Sequence, residues 1–178
     1  MDFQQLRLSQ ENYLSVSENT AISARKKALH QLRDAIKRRE SEIIEALYAD
    51  MQKSDFEAYS SEIGFIYQEI SHTLKHIDSW NRPQRVRTGL SLFPSSAKIY
   101  AQPYGKVLII APWNYPFQLL IAPLIAAIAA GNTALLKPSE LTPNTSKILA
   151  QLIQDTFDPA FIALVEGEGH TIVPEAIN

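Results

Sequence analysis

Val107-Leu108-Ile109-Ile110-Ala111-Pro112-Trp113-Asn114-Tyr115-Pro116 decides how this chain is read. It opens with an unbroken apolar run, as a strand buried on both faces requires, and the two prolines that follow cannot continue a central ladder. A second apolar run, 133–136, leads directly into Lys137-Pro138-Ser139-Glu140. In an open parallel sheet the carboxyl ends of the strands face a shared crevice, so polar residues placed there by two successive strands can meet around one ligand.

Downstream and upstream of these strings the pattern alternates. A short strand at 97–102 and a turn at Pro103-Tyr104-Gly105 precede the strand 106–111. A helix at 117–130 ends against Gly131-Asn132, a strand covers 133–137, and Thr142-Pro143 opens a helix toward Phe157. A third apolar strand, 161–165, is bounded by Gly167, and a new helix begins at Glu175. Strand, helix, strand, helix, strand is the signature of right-handed parallel crossovers. Three parallel strands rarely complete a sheet, because both faces and both edges need cover.

The first eighty residues are helical in pattern. Thr20 is placed to cap a helix with the apolar stripe Ile22, Leu29, Leu32 and Ile36. Further stripes run Ile43, Ile44, Leu47, Met51 and then Ile63, Ile66, Tyr67, Ile70, Leu74, Ile77, up to the break at Trp80-Asn81-Arg82-Pro83. Residues 83–96 read as a connector rich in Pro, Gly and Ser. Helices apolar on one side must pack on something, and the later sheet is the available partner.

Composition narrows the functional classes. The chain has 46% hydrophobic residues, and 17 Lys and Arg against 19 Asp and Glu leave a formal charge of -2. That offers no broad basic field for nucleic acid or an anionic membrane. The clusters Arg25-Lys26-Lys27 and Lys37-Arg38-Arg39 read as solvated helix faces. The N-terminus lacks the pattern of a secretory signal, and the longest apolar run, 119–130 with Pro123 inside, is far below the about 20 residues of a membrane span. With no cysteine in the sequence, a disulfide framework is excluded and a thiolate nucleophile cannot come from these residues. A cytoplasmic location is expected. His72 and His76 have a metal-compatible spacing but lie opposite the Ile70, Leu74, Ile77 stripe, so they read as a solvated face and no metal site is expected. Gly167-Glu168-Gly169 has Ile172 where a dinucleotide fingerprint needs its third glycine, and reads as a turn. No Ser, His and Asp arrangement supports hydrolase chemistry.

The segment from Gly105 to Pro116, followed by an Ala-rich helix, Gly131-Asn132 and Lys137-Pro138-Ser139-Glu140, closely resembles the aldehyde dehydrogenase superfamily over roughly residues 20–175, and its shorter class 3 type most of all. The resemblance implies an α/β fold in which N-terminal helices pack on part of a Rossmann-like parallel sheet, with one oligomerisation-type strand. Residues 1–82 would be the helical part of the cofactor domain, 83–103 a connector with that strand, and 104–178 the first half of the cofactor-binding domain. The implied cofactor is NAD or NADP, held at Ala111, Pro112, Trp113, Asn114, Lys137, Pro138, Ser139 and Glu140. Asn114 matches the family's donor to the oxygen of a thiohemiacetal, and a neutral amide on a short turn suits that task. Lys137 and Glu140 match residues that grip ribose hydroxyls, which accept from an ammonium and donate to a carboxylate. Competing local readings make Asn114 a helix cap and Lys137 with Glu140 a surface salt bridge.

Family catalysis also needs a cysteine nucleophile and a downstream glutamate, which the resemblance places C-terminal to these residues; neither is present. A piece cut from a longer chain, a truncated gene product and a pseudoenzyme fragment all match this pattern. The expected partners are a small-molecule aldehyde and a second copy of the chain, as homodimer or other self-association. Alternatives are an acyl-CoA or acyl-phosphate reductase of the same superfamily and a non-catalytic module that pairs with full-length subunits. The intact Trp113-Asn114-Tyr115-Pro116 string favours the dehydrogenase.

Overall fold

A computed structural model describes residues 2–89, 91 and 93–177 of the chain. Helices come first: α1 (Phe3–Ser15), the single turn α2 (Ser17–Thr20), α3 (Ile22–Arg38), α4 (Glu40–Met51) and α5 (Asp55–Ala58). A π-helical segment, Tyr59–Ile63, runs into α6 (Gly64–Trp80). Two short strands, β1 (Gln84–Val86) and β2 (Ala97–Ile99), pair antiparallel. The remainder alternates through β3 (Lys106–Ile110), α7 (Gln118–Ala130), β4 (Thr133–Lys137), α8 (Pro143–Thr156), β5 (Ile162–Leu164) and α9 (Gly169–Ile177). Strands β3, β4 and β5 form a parallel sheet in that order, with Lys106 opposite Thr133 and Ala134 opposite Ile162.

β4 is buried along its whole length, so both faces of the sheet must be covered. Side chains alternate between those faces. Ala134 and Leu136 enter the main core with Leu29 of α3, Leu47 of α4, Ile66 of α6, Leu124 of α7 and Leu149 of α8. Leu135 turns the other way, packing with Leu6 of α1 and with Ala163 and Val165. On that face Gln10 of α1 is buried and donates from Nε2 to the Ala134 carbonyl at 3.3 Å.

Neither crossover helix caps its own N-terminus. At α8 the N–H groups of Asn144 and Thr145 donate to the Asp50 carboxylate of α4, at 3.1 and 2.7 Å. At α7 the N–H groups of Phe117 and Gln118 donate to Glu62 Oε2, at 2.9 and 3.1 Å. Glu62 lies in the π segment, where Gly64 N–H bonds back to the Tyr59 carbonyl. Such a turn inserts one residue into the helical phase, and Glu62 lands in the interior, fully buried. The layers are thus locked by carboxylates that satisfy orphan donors of the helices they face.

Several expectations are corrected. Thr20 is not a side-chain cap: it ends the turn α2, its hydroxyl donates to the Ser17 carbonyl, and Ala21 precedes α3. Arg25 is no solvated charge. Its guanidinium is half-buried and donates to the Thr20 carbonyl (2.6 Å), Asn81 Oδ1 (3.1 Å) and the Ala129 carbonyl (3.1 Å), placing a cation at the C-terminus of α7. The connector 83–96 begins with a strand, β1, and the strand expected over 97–102 stops at Ile99, where its pairing with β1 ends. All six residues of this ribbon are exposed. The helix expected from Glu175 starts at Gly169, because Gly167, at φ +138°, turns the chain directly after β5. Leu90 and Leu92 of the connector, and Asn178 at the end, lie outside the described residues.

Gly131 ends α7 in the left-handed region at φ +86°, and a Cβ there would lie 2.6 Å from the Arg25 guanidinium. That guanidinium is pinned by three hydrogen bonds and cannot swing aside. Gly131→Ala is expected to lower stability by about 1–3 kcal/mol, read as a shifted urea midpoint with unchanged slope.

Candidate active site

The site is built where β3 and β4 end. Ala111, just past β3, donates its N–H to the Lys137 carbonyl at 3.0 Å, so the ladder continues one residue beyond the strand and holds both carboxyl ends together. Beyond that bond the chain turns through Pro112, Trp113, Asn114 and Tyr115, all exposed, before Pro116 and Phe117 re-enter the interior. The Asn114 side-chain amide has no hydrogen-bond partner among the described residues, so the reading of Asn114 as a helix cap is overturned. Glu62 does that work instead.

Behind the turn stands a buried ion pair that the sequence patterns did not flag. Lys53 Nζ lies 2.5 Å from Glu62 Oε1, with side-chain exposures of 6% and 0%. Lys53 also donates to the Asn114 carbonyl at 3.1 Å, and its ammonium sits 4.2 Å over the Tyr115 ring. A legible signal existed: Glu62 precedes Ile66 and Ile70 by four and eight positions, which puts an acid in line with a buried stripe. Lys53, just past α4, carries no such mark.

On the β4 side, Lys137 is buried at 2% exposure and its Nζ donates to the Pro138 carbonyl at 2.8 Å and pairs with Glu140 Oε2. The salt bridge allowed by the spacing is therefore formed, yet at a buried lysine and not on an open surface. Glu140 Oε1 also accepts from the N–H of Gly169, at 3.1 Å, where α9 begins. The Ser139 carbonyl accepts from the Ser146 hydroxyl at 2.8 Å, and Ser139 Oγ accepts from Leu141 N–H at 3.2 Å, which fixes the loop into α8. A cavity of about 190 Å³ opens between the ends of β4 and β5, lined by Pro138, Ser139, Glu140, Ser146, Glu166 and Gly167 among others. A larger cavity, about 320 Å³, is lined by α6, α7 and the segment after β2, with no residue from the carboxyl ends of the parallel strands.

This arrangement can offer hydrogen bonds of both kinds. An ammonium has three protons, and Lys137 uses two within the protein, leaving one to donate. The Lys137 hydrogen bond, with the backbone N–H groups of Glu140 and Gly169, holds the Glu140 carboxyl down at about 2, so it remains an acceptor across the neutral range. Asn114 adds a neutral amide on the adjacent strand end. The Asn114 and Lys137 side chains share no hydrogen bond; only their backbones are tied, through Ala111.

His72 and His76 lie outside this region; His76 stacks on Trp80 and the His72 ring is tilted against both, with centroids 4.3 to 5.8 Å apart. Among the described residues no three His, Cys, Asp or Glu side chains group as a metal site, and no helix is long and apolar enough to cross a membrane.

A parallel sheet with crossover helices and a polar crevice at its carboxyl ends defines a Rossmann-like class of domain. The sequence profile of the aldehyde dehydrogenase family matches residues 9–178, and the chain belongs to that family. It is 49% identical over 155 residues to 4,4'-diaponeurosporen-aldehyde dehydrogenase of Staphylococcus aureus, covering 87% of this chain and 34% of that protein. It is 43% identical over 128 residues to aldehyde dehydrogenase family 3 member H1 of Arabidopsis thaliana, covering 72% and 26%. The solved substrate-bound state of Staphylococcus aureus AldH superposes with a TM-score of 0.91 at 45% identity, over 97% of this chain and 37% of that one. The chain spans between about a quarter and just over a third of the length of these relatives.

The Glu140 pairing has a pH signature. Because its carboxyl titrates at about 2 in the fold against 4.5 ordinarily, the pairing stabilises the fold above that ordinary value and loses its effect as pH falls toward 2. Glu140→Gln is expected to unfold at lower urea than the parent near neutral pH, with the two midpoints converging toward pH 2. A gap that persists unchanged at pH 2 would refute the pairing.

Proposed function

We propose that this chain supplies the oxyanion donor and the ribose grip of an NAD- or NADP-dependent dehydrogenase that oxidises an aldehyde to a carboxylate. The observation that carries the reading is the exposed Asn114 amide, unpartnered among the described residues, on a turn tied through Ala111 to the strand that bears Lys137. Members of the same fold lend support: a Pseudomonas syringae aldehyde dehydrogenase was solved with NAD+ and octanal, and a Streptococcus pyogenes succinic semialdehyde dehydrogenase with NADP+. When bound, the cofactor accepts the hydride. Lys137 and Glu140 grip the ribose diol, the first donating and the second accepting. Ala111, Pro112 and Trp113 line the nicotinamide side, and Pro138 with Ser139 shape the loop beneath the adenosine half. Asn114 donates to the oxygen that gains negative charge when a thiolate adds to the aldehyde carbon.

In this reading, 1–82 and 104–178 form one cofactor unit and the β1–β2 ribbon in 83–103 meets another subunit. The thiolate and the glutamate that complete the reaction are not among these residues, so the chain by itself oxidises no aldehyde, and with only three parallel strands among the described residues to form the crevice it binds NAD weakly. The outer edges of β3 and β5 have no partner strand among the described residues, which favours self-association.

Calorimetry on the chain tests the ribose grip: Lys137→Met and Glu140→Gln should each weaken NAD binding by about tenfold or more, as loss of a charged hydrogen bond requires. Parent-like affinity in both variants overturns it. Sedimentation velocity should show species larger than a 20.0 kDa monomer; a single monomeric boundary at micromolar concentration overturns the self-association.

A further inference from the structure

We propose that the buried Lys53–Glu62 pair is the positioning device for the Asn114 amide, an assignment that rests on the oxyanion reading of Asn114. After Ala111 the turn makes no further ladder bonds, and an exposed loop of this kind is not held by sheet pairing. What brackets Asn114 comes from the helical layer. Lys53 donates to the carbonyl of Asn114 itself at 3.1 Å and stands over the next side chain, Tyr115, at 4.2 Å. Glu62 accepts from the N–H groups three and four residues further on, Phe117 and Gln118. One oxygen of Glu62 serves Lys53 and the other serves the backbone, so the pair forms a closed clamp on both sides of the turn.

Two irregularities of the backbone deliver these residues. Lys53 follows Gln52, which leaves α4 in the left-handed region at φ +57°, and Glu62 sits in the π segment. Lys53 thus lies just past the end of α4, and Glu62, in line with Ile66 and Ile70, faces the interior. Among the described residues no buried side-chain nitrogen or oxygen at the pair lacks a partner. Apolar side chains of similar volume would avoid the cost of desolvating two charges, at the loss of the acceptor that the buried Phe117 N–H uses. What apolar side chains cannot supply is direction: a hydrogen bond to one carbonyl and two to named N–H groups fix the turn in rotation as well as in place. An oxyanion donor needs that, since a displacement of about 1 Å can lower the rate by about 100-fold.

Lys53→Met combined with Glu62→Gln removes both charges and leaves none unpaired; the amide oxygen introduced at 62 still accepts at the start of α7, so the fold survives while the hydrogen bond from position 53 to the Asn114 carbonyl is lost. Hydrogen exchange of the whole chain, followed by mass spectrometry, is expected to speed up by about tenfold or more in peptides covering 112–119, with those of β4 and α8 unchanged. Exchange that is unchanged, or faster everywhere alike, overturns the clamp. The catalytic consequence is read in a chimera in which this chain replaces the matching third of the Staphylococcus aureus relative. There Asn114→Ala should lower kcat about 100- to 1000-fold, and the pair variant should lower kcat about tenfold or more with NAD affinity unchanged. The triple variant should be no slower than Asn114→Ala alone, because Lys53 and Glu62 act through that amide. Losses that multiply, or full kcat in the pair variant, overturn the positioning role. Full kcat in Asn114→Ala overturns the oxyanion reading instead, and the exchange result then still decides whether the clamp exists.

Discussion

The hydrogen bond from Ala111 N–H to the Lys137 carbonyl is the constraint on which the site depends. It extends the β3–β4 ladder by one residue and stops the two chains from splaying before they diverge into different loops. A register slip of one residue would send every side chain of β3 to the opposite face. It would also part the Trp113-Asn114 turn from Lys137. The register is secured because β4 is buried on both faces, so Ala134 and Leu136 on one side and Leu135 on the other admit a single pairing.

The second organising feature is the use of carboxylates as helix caps supplied from a distance. Asp50 and Glu62 reach from the helical layer to the starts of α8 and α7. These contacts satisfy orphan N–H groups and place negative charge against the positive ends of two helix dipoles. They also occupy the anion sites that crossover helices of many dinucleotide-binding folds present to phosphate. The incomplete glycine fingerprint at Gly167-Glu168-Gly169 is a turn, with Gly167 at φ +138° and α9 beginning at Gly169. Gly169 itself donates to Glu140, so even the start of α9 already faces a carboxylate.

The parallel sheet was legible because its strands are short, apolar and punctuated. Gly131 closes α7 and Pro143 opens α8 where the turn chemistry requires them. The stripe from Ile63 to Ile77 was legible for the same kind of reason, since most of its members are buried. The π segment at its start was not, because an inserted residue leaves the downstream period intact. Arg25 read as a surface charge because its neighbours Lys26 and Lys27 are ordinary helix polar residues; only the packing of α2, the end of α6 and the end of α7 around it gives its guanidinium three carbonyl and amide acceptors. The β1 strand escaped notice because three exposed residues carry no hydrophobic period.

From the residues alone came the order of strands and helices, the crossovers, the family and the two strings at the strand ends, all written in local periodicity, turn residues and short motifs. Tertiary structure decided that Lys137 is buried and bound to Glu140, that Asn114 is left without a partner among the described residues, and that Lys53 and Glu62 close behind it. Those outcomes depend on groups far apart in sequence, with Lys53 and Asn114 61 positions apart, and a contact of that range exists only after the helices have settled on the sheet.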